Sequence, residues 1–133
     1  LEAILDQKPE FVPAQKALAA LYLRDPSKYA GGLRLAQKAR EELEDDPELA
    51  RILGILTYHD GDAEYAARLL KSSGAETPLD AEGLFYLGMA EIKSGQNEQG
   101  AATLQRALDA DLAAPLAGQA QQAIAEAAKN DSE

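Results

Sequence analysis

The fold of this chain is decided by two stretches, LGILTYHDGDAEYAARLLKSS at residues 53–73 and LGMAEIKSGQNEQGAATLQRA at residues 87–107. They repeat one pattern at a distance of 34 residues. The same step relates six small or apolar positions: Leu53-Gly54 to Leu87-Gly88, Gly61 to Gly95, Ala66 to Gly100, Leu70 to Leu104 and Ser73 to Ala107. A repeat of this period is typical of helical hairpins, which stack because one hairpin cannot bury its apolar face alone.

Proline and glycine residues divide the rest of the chain into helices of similar length. Helical patterns are predicted over residues 13–24, 28–43, 48–59, 63–73, 80–94, 97–110 and 116–129, and no segment has the pattern of a strand. These helices form three predicted units: 12–44, 47–77 and 78–112. The remaining segments are predicted to be the tail of a preceding unit (1–8), a capping helix (115–129) and a disordered tail (130–133). The last helix could instead begin a fourth hairpin, but its glutamines favour a cap.

The repeated pattern resembles the tetratricopeptide repeat (TPR), with a Leu-Gly pair in the first helix, a glycine at the turn and small residues in the second helix. Pro78 stands at the family's inter-repeat proline. The first unit fits if one extra residue is placed near Asp25, and Pro9 then takes the inter-repeat position. The family's early Trp is absent, and Glu91 replaces a usual aromatic. The resemblance implies an all-α fold, a right-handed α-solenoid of about three stacked helix-turn-helix repeats.

Composition excludes several classes of function. The net charge of −10 argues against a nucleic-acid partner, because phosphate binding needs a basic surface. Cysteine is absent, so there is no disulfide framework and no thiolate metal site. No apolar run approaches the roughly 18–20 residues that span a bilayer. Because the chain begins with Leu1 inside a repeat, we expect it to be part of a longer protein, and the sequence does not indicate a compartment.

The first helices of a TPR array line a concave groove that commonly receives a peptide or a helix of a partner. The repeat register therefore predicts a set of groove residues, all on first helices: Lys16, Ala20, Leu23, Arg24, Arg51, Ile55, Tyr58, His59, Phe85, Met89, Ile92 and Lys93. An apolar strip with cationic borders would suit a segment with hydrophobic anchors and some acidic groups.

The same residues have an alternative interpretation that involves no partner. A lysine near the end of a helix is favourable to the helix dipole whether or not a ligand binds. Phe85, Met89 and Ile92 also lie at helical spacing and could pack against neighbouring helices. His59, the single histidine, is better explained as a surface or cap residue than as a ligand or base.

The acidic run at residues 41–48 is the densest charge cluster of the chain. Its carboxylates are of the ligand type that hard metal ions prefer, but the run lacks the glycine and the Asx spacing of a calcium loop. A solvated surface between repeats is the better interpretation, with a patch for a basic partner as the alternative.

The sequence predicts no catalytic site and no cofactor, because it has neither a nucleophile constellation nor a phosphate loop. The leading hypothesis is a protein-interaction scaffold. A structural alternative is a spacer or a self-associating section of a longer solenoid, since Leu1, Ile4 and Leu5 would be exposed. A weaker alternative is the substrate-presenting part of a larger enzyme such as a transferase.

Overall fold

A computed structural model describes residues 2–8 and 11–131. Within these residues there is no strand, and the elements are eight α-helices and one short 3₁₀ turn at Pro26–Lys28. The helices are α1 (Glu2–Gln7), α2 (Val12–Tyr22), α3 (Tyr29–Arg40), α4 (Pro47–His59), α5 (Ala63–Glu76), α6 (Ala81–Lys93), α7 (Asn97–Asp109) and α8 (Leu116–Asp131). The predicted all-α solenoid is confirmed. Leu1, Pro9 and Glu10 lie outside the described residues.

Helices that are adjacent in sequence are also adjacent in space. The hairpins α2–α3, α4–α5 and α6–α7 follow one another, and α3 packs on α4 as α5 packs on α6. At the end of the row α8 packs on both α7 and α6, while α1 packs on α2. Three apolar clusters follow the same order along the row, so each hairpin completes its core with residues of the next one.

The helix starts and the hairpin turns follow directly from local sequence. Asp46, Asp62 and Asp80 each cap a helix by accepting a hydrogen bond from a backbone N–H in its first turn. The turns within the second and third hairpins contain Gly61 and Gly95, with φ of +99° and +90°. This left-handed conformation ends a helix at low cost only when the residue has no Cβ.

Some helix ends differ from the sequence-based boundaries. The helix predicted to end at about Ser73 continues to Glu76, and the Ser73 hydroxyl donates a 2.7 Å hydrogen bond to the Pro47 carbonyl. With its hydroxyl satisfied by another helix, Ser73 does not compete with the backbone of its own helix. Helix α3 ends earlier than expected, at Arg40. Helix α8 continues to Asp131, so a disordered tail from residue 130 was wrong for 130 and 131, and residues 132 and 133 lie outside the described part.

The two helices of the third hairpin meet at a pair of glycines. A Cβ added at Gly100 would lie 2.5 Å from Ile92 Cγ1 and 2.7 Å from the Gly88 carbonyl oxygen. A Cβ added at Gly88 would lie 2.7 Å from Leu104 Cγ. The repeated small residues are therefore required because the backbones of α6 and α7 come into direct contact.

We expect Gly100→Ala to lower the free energy of unfolding by about 1–3 kcal/mol, because the backbone of Gly88 cannot move aside for a methyl group. Gly118→Ala is the matched control, since nothing lies within 4 Å of a Cβ at that helical position. This control should raise the same free energy by up to about 1 kcal/mol through helix propensity. Urea denaturation followed by circular dichroism measures both. Equal effects of the two substitutions would contradict the close approach.

Candidate functional site

The exposed sides of α2, α4 and α6, with the residues that end these helices, form one surface, which we call the first-helix face. Just after α2, Arg24 Nη1 lies 3.4 Å from Glu82 Oε2 in the first turn of α6. This ion pair joins the first hairpin to the third, so the first-helix face extends across all three hairpins.

Two of the predicted groove cations hold the next hairpin in place. Lys16 Nζ lies 2.7 Å from Asp46 Oδ2, and Arg51 forms two hydrogen bonds of 2.8 and 3.0 Å with the carboxylate of Asp80. Asp46 and Asp80 are equivalent residues of successive repeats, and each also caps a first helix. The same ion pair therefore occurs twice, each time between consecutive hairpins.

These ion pairs keep the capping carboxylates charged. Burial raises the pKa of Asp46, but the hydrogen bonds from Lys16 and from the Leu49 N–H outweigh it, so the pKa lies below its ordinary value. At Asp80 the hydrogen bonds from Arg51 and a backbone N–H outweigh burial in the same way, and its pKa is also lowered. Lys16 and Arg51 are thus neutralised within the chain and contribute little free positive charge to the face.

Two predicted groove residues lie in the core instead of on the surface. Ile55 and Phe85 are each only 2% exposed. In the third hairpin, Phe85 stands at the position that Lys16 and Arg51 occupy in the first and second hairpins. Phe85 belongs to the apolar cluster that includes Ala120 and Ala123 of α8. The ion pair between hairpins is replaced there by apolar packing, because α8 supplies no capping aspartate in register with Asp46 and Asp80.

Aromatic rings gather around the end of α4, where Tyr58, His59 and Tyr86 of the first-helix face meet Tyr29 at the start of α3, and we call these four residues the aromatic cluster. The His59 ring stacks on Tyr29 with centroids 4.2 Å apart, and Tyr86 lies 5.2 Å from His59 and 5.4 Å from Tyr58. Lys93 Nζ lies 4.6 Å from the centroid of the Tyr58 ring. Such a cluster offers flat apolar surface together with polar ring atoms, a combination suited to binding another protein.

The cluster changes the acid–base properties of its members. Burial and the Lys93 ammonium lower the pKa of His59, while Glu82 acts in the opposite direction. Burial, together with Tyr29 and Glu82, raises the pKa of Tyr86 to about 12. At neutral pH Tyr86 is therefore a hydroxyl donor, and the lowered pKa favours neutral imidazole at His59.

The remaining predicted residues lie where a partner could reach them. Leu23, Tyr58, Met89 and Ile92 are half-buried, whereas Arg24, His59 and Lys93 are exposed. Sequence reasoning did not consider Tyr29, and it did not include Glu82 or Tyr86 among the candidate groove residues. Phe85 and Tyr86 are neighbours on α6, and the absence of an aspartate equivalent to Asp80 after the third hairpin is the sequence feature that could have indicated that Phe85 packs inward.

The acidic run 41–48 is divided between exposure and ion pairing. Glu41, Glu42, Glu44 and Asp45 are exposed, whereas Asp46 is the capping residue that binds Lys16. Among the described residues, no group of three His, Asp or Glu side chains is arranged to hold a metal ion.

Comparison with known proteins identifies the architecture. No protein-family model and no curated protein matches the sequence. The crystal structure of MamA superposes on 98% of this chain and 74% of its own, with a TM-score of 0.76 at 18% identity. The crystal structure of YrrB, a TPR protein with an unusual peptide-binding site, covers 98% of this chain and 65% of its own, with a TM-score of 0.74 at 15% identity.

The chain has the tetratricopeptide repeat fold. A mutant O-GlcNAc transferase of Thermobaculum terrenum is also similar, with a TM-score of 0.68 at 26% identity over 87% of this chain and 22% of that enzyme. In TPR terms α2, α4 and α6 are the first helices of three repeats, and the aromatic cluster lies on the face that they share. No helix in the described part of this TPR array has both the length and the apolar character needed to cross a membrane.

We expect the apparent pKa of His59 to lie below about 6.5, the value for an unperturbed histidine. The unfolded chain then takes up a proton at a higher pH than the folded chain. The contribution of His59 to stability is therefore complete above about pH 6.5 and is lost as the pH falls toward the folded pKa. Proton NMR measures this pKa directly, since the chain has one histidine.

Two charge-removing variants test the cause of this shift. Lys93→Gln should raise the pKa of His59, whereas Glu82→Gln should lower it further. Shifts in the opposite directions would show that these two side chains do not face the imidazole in solution.

Proposed function

We propose that this TPR array is a protein-interaction scaffold that binds an extended or helical segment of another protein along the first-helix face. The observation that carries the proposal is the aromatic cluster around the end of α4. Tyr58 and Tyr86 are half-buried, so they combine a fixed position with accessible ring surface. Tyrosine is enriched at protein interfaces because it loses little conformational entropy on binding.

The surface next to the cluster extends the apolar contact. Met89 and Ile92 of α6 are half-buried and pack against the third apolar cluster. A methionine side chain can adjust to partners of different shape, because it is unbranched and polarisable. We infer that apolar anchors of the partner contact this part of α6.

The charges on the first-helix face indicate which charged group the partner should carry beside its apolar anchors. Lys16, Arg24 and Arg51 are all engaged by acidic residues of this chain. By contrast, Lys93 forms no ion pair with an acidic side chain in the described part of the chain and lies over Tyr58. A partner segment with an acidic residue beside its apolar anchor would neutralise Lys93, as would be expected for complementary surfaces.

YrrB provides support from a similar fold, since its crystal structure is that of a TPR protein with an unusual peptide-binding site. The likeness to YrrB extends over nearly the whole of this chain. Whether a peptide binds here depends on the side chains of this chain, and the proposal therefore rests on the aromatic cluster.

Selection of peptides from a random dodecapeptide display library, followed by fluorescence anisotropy, tests the proposal. We expect selected peptides to carry aromatic or aliphatic residues next to an acidic residue. Tyr58→Ala and Lys93→Glu should each weaken binding about tenfold, the effect of losing roughly 1.4 kcal/mol at an interface hot spot.

Lys129→Glu serves as the matched control, because it makes the same charge change at an exposed position of α8. Its affinity should equal that of the native chain. Selection of no peptide, or of peptides whose affinity is unchanged by Tyr58→Ala and Lys93→Glu, would contradict binding on this face.

Self-association is a second candidate function, favoured by exposed apolar residues near the first hairpin. Ile4, Phe11 and Leu21 are 43%, 43% and 57% exposed. Apolar residues exposed together favour contact with another protein surface, including a second copy of the chain. Sedimentation equilibrium over a range of concentrations distinguishes the two functions, since a monomer that binds the selected peptides supports the scaffold alone.

The third possibility, a substrate-presenting part of a larger enzyme, is supported only by the likeness to the Thermobaculum terrenum transferase. This chain corresponds to 22% of that enzyme, so any catalytic part would lie outside it.

A further inference from the structure

A cleft of about 610 Å³ lies between α5, α6 and α7, and we call it the α5–α7 cleft. None of the four residues of the aromatic cluster lines it. The cleft is formed largely by the second helices α5 and α7, whereas the peptide site proposed above lies on the first helices. It is therefore a separate candidate surface for recognition.

The third repeat keeps this cleft open because α5 has a glycine at its edge. Gly74 lines the cleft, and an added Cβ there would lie 3.3 Å from Cγ of Leu79, another lining residue. The equivalent positions in the preceding helices are Leu5 and Arg40, which both have large side chains. The space that those side chains occupy is left free beside Gly74.

The cleft has an accessible apolar wall. Ala75 and Pro78 are exposed and Leu79 is half-buried, and all three line the cleft. Leu84 and Leu87 lie beneath them, with 6% and 7% of their surface exposed. An aliphatic side chain placed against this wall would be removed from water together with the wall itself, which favours binding.

Three lining residues are charged, and one of them cannot be reached. Glu91 is 0% exposed, and its Oε1 accepts a 2.6 Å hydrogen bond from the Thr103 hydroxyl. Its Oε2 is buried, accepts no hydrogen bond from the described residues and lies 3.7 Å from Lys71 Nζ. Glu91 thus acts as an internal counter-ion of Lys71, and a molecule in the cleft does not contact it.

The charges that a partner can reach are both positive. The Lys71 side chain is 45% exposed, and Arg106 is exposed and forms no ion pair with an acidic side chain in the described part of the chain. Glu91 offsets the charge of Lys71, so the charge of Arg106 remains as a surplus. At physiological salt, charges more than about 8 Å away are largely screened. These local cations therefore outweigh the net charge of −10 carried by the whole chain.

The first repeat provides an internal comparison, because it has an equivalent cleft of about 590 Å³ between α1, α2 and α3. Arg34 and Lys38 line that cleft, but Glu2 and Asp6 of α1 line it too, at the positions of Lys71 and Ala75. The cations of the first cleft thus face an equal number of accessible carboxylates. An excess of positive charge is a property of the α5–α7 cleft and not of the repeat in general.

We propose that the α5–α7 cleft binds a segment of a partner protein in which an aliphatic residue is flanked by acidic residues. The aliphatic side chain packs on Pro78 and Leu79. A flanking carboxylate accepts hydrogen bonds from the Arg106 guanidinium, the geometry that suits this pair of groups, and a second carboxylate lies near Lys71. The array then has two recognition surfaces and can hold two partner segments at once.

The exposure of the cleft favours a protein segment over a small molecule. Small-molecule sites bury most of the ligand, whereas Ala75, Pro78 and Arg106 lie at the surface of the protein. A second copy of the chain does not offer the same segment from its acidic run. Leu43, the aliphatic residue among the acidic residues 41–46, packs against the first apolar cluster of its own chain.

Peptide selection tests the proposal when the first-helix face has been disabled beforehand. The bait is the full chain carrying Tyr58→Ala and Lys93→Glu, neither of which lines the α5–α7 cleft. If this chain does not fold, Lys93→Glu alone serves as the bait. We expect a dodecapeptide display library to yield peptides with leucine or isoleucine between acidic residues. Their affinity, measured by fluorescence anisotropy, should fall as salt is raised from about 50 to about 500 mM.

A charge reversal locates the binding. Arg106→Glu should weaken the selected peptides by about fivefold or more, since an attractive rim charge becomes a repulsive one. Lys38→Glu is the matched control, because Lys38 stands at the equivalent position in the first cleft and is also exposed. Both side chains are at the surface, and circular dichroism checks that helicity is kept.

Replacement of the peptide's aliphatic residue by glycine should weaken binding by about tenfold, the effect of losing an apolar anchor. Selection of no peptide by the bait, or of peptides without acidic residues, would overturn the proposal. Equal effects of Arg106→Glu and Lys38→Glu would also overturn it. None of these outcomes depends on whether the native first-helix face binds a peptide, so the two proposals fail or succeed separately.

Discussion

The close approach of two helix backbones within each hairpin is the constraint on which the rest of the structure depends. In the third hairpin Gly88 and Gly100 bring α6 and α7 into direct contact, and in the second a Cβ at Gly54 would lie 2.8 Å from Leu70 Cγ. Hairpins packed this tightly act as rigid units, because close-packed interiors deform little. Their rigidity gives the side chains between hairpins defined positions, which every site in this array uses.

The first two junctions between hairpins contain an ion pair, whereas the third junction, with α8, is formed by apolar packing. Lys16–Asp46 and Arg51–Asp80 are the same ion pair in successive repeats, and each joins a cation to a helix cap. At the third repeat Phe85 takes the place of the cation and packs under α8. The first-helix face thus carries paired charges in the first two repeats, the aromatic cluster around the end of α4, and Lys93, which forms no ion pair with an acidic side chain of the described residues. This distribution supports binding through apolar anchors assisted by one charge.

Sequence reasoning predicted much of the fold because the features involved are local. A 34-residue period, aspartate caps and turn glycines depend on residues that are close in sequence. It succeeded less well at the candidate site, where Ile55 and Phe85 proved to be core residues and Tyr29 and Tyr86 proved to be surface neighbours. Helix ends also moved where a distant group intervened, as at Ser73, whose hydroxyl binds the Pro47 carbonyl.

By itself, then, the sequence determined that this chain is a stack of helical hairpins. Small and apolar residues that recur every 34 residues are typical of hairpins that bury their apolar faces against one another. It also showed that Glu91 departs from the aromatic expected at its position. Only the tertiary structure decided which side chains share a surface. The ion pair between Arg24 and Glu82, the cover provided by α8 and the incomplete hydrogen bonding of Glu91 depend on contacts between distant residues. A repeat period alone does not contain those contacts.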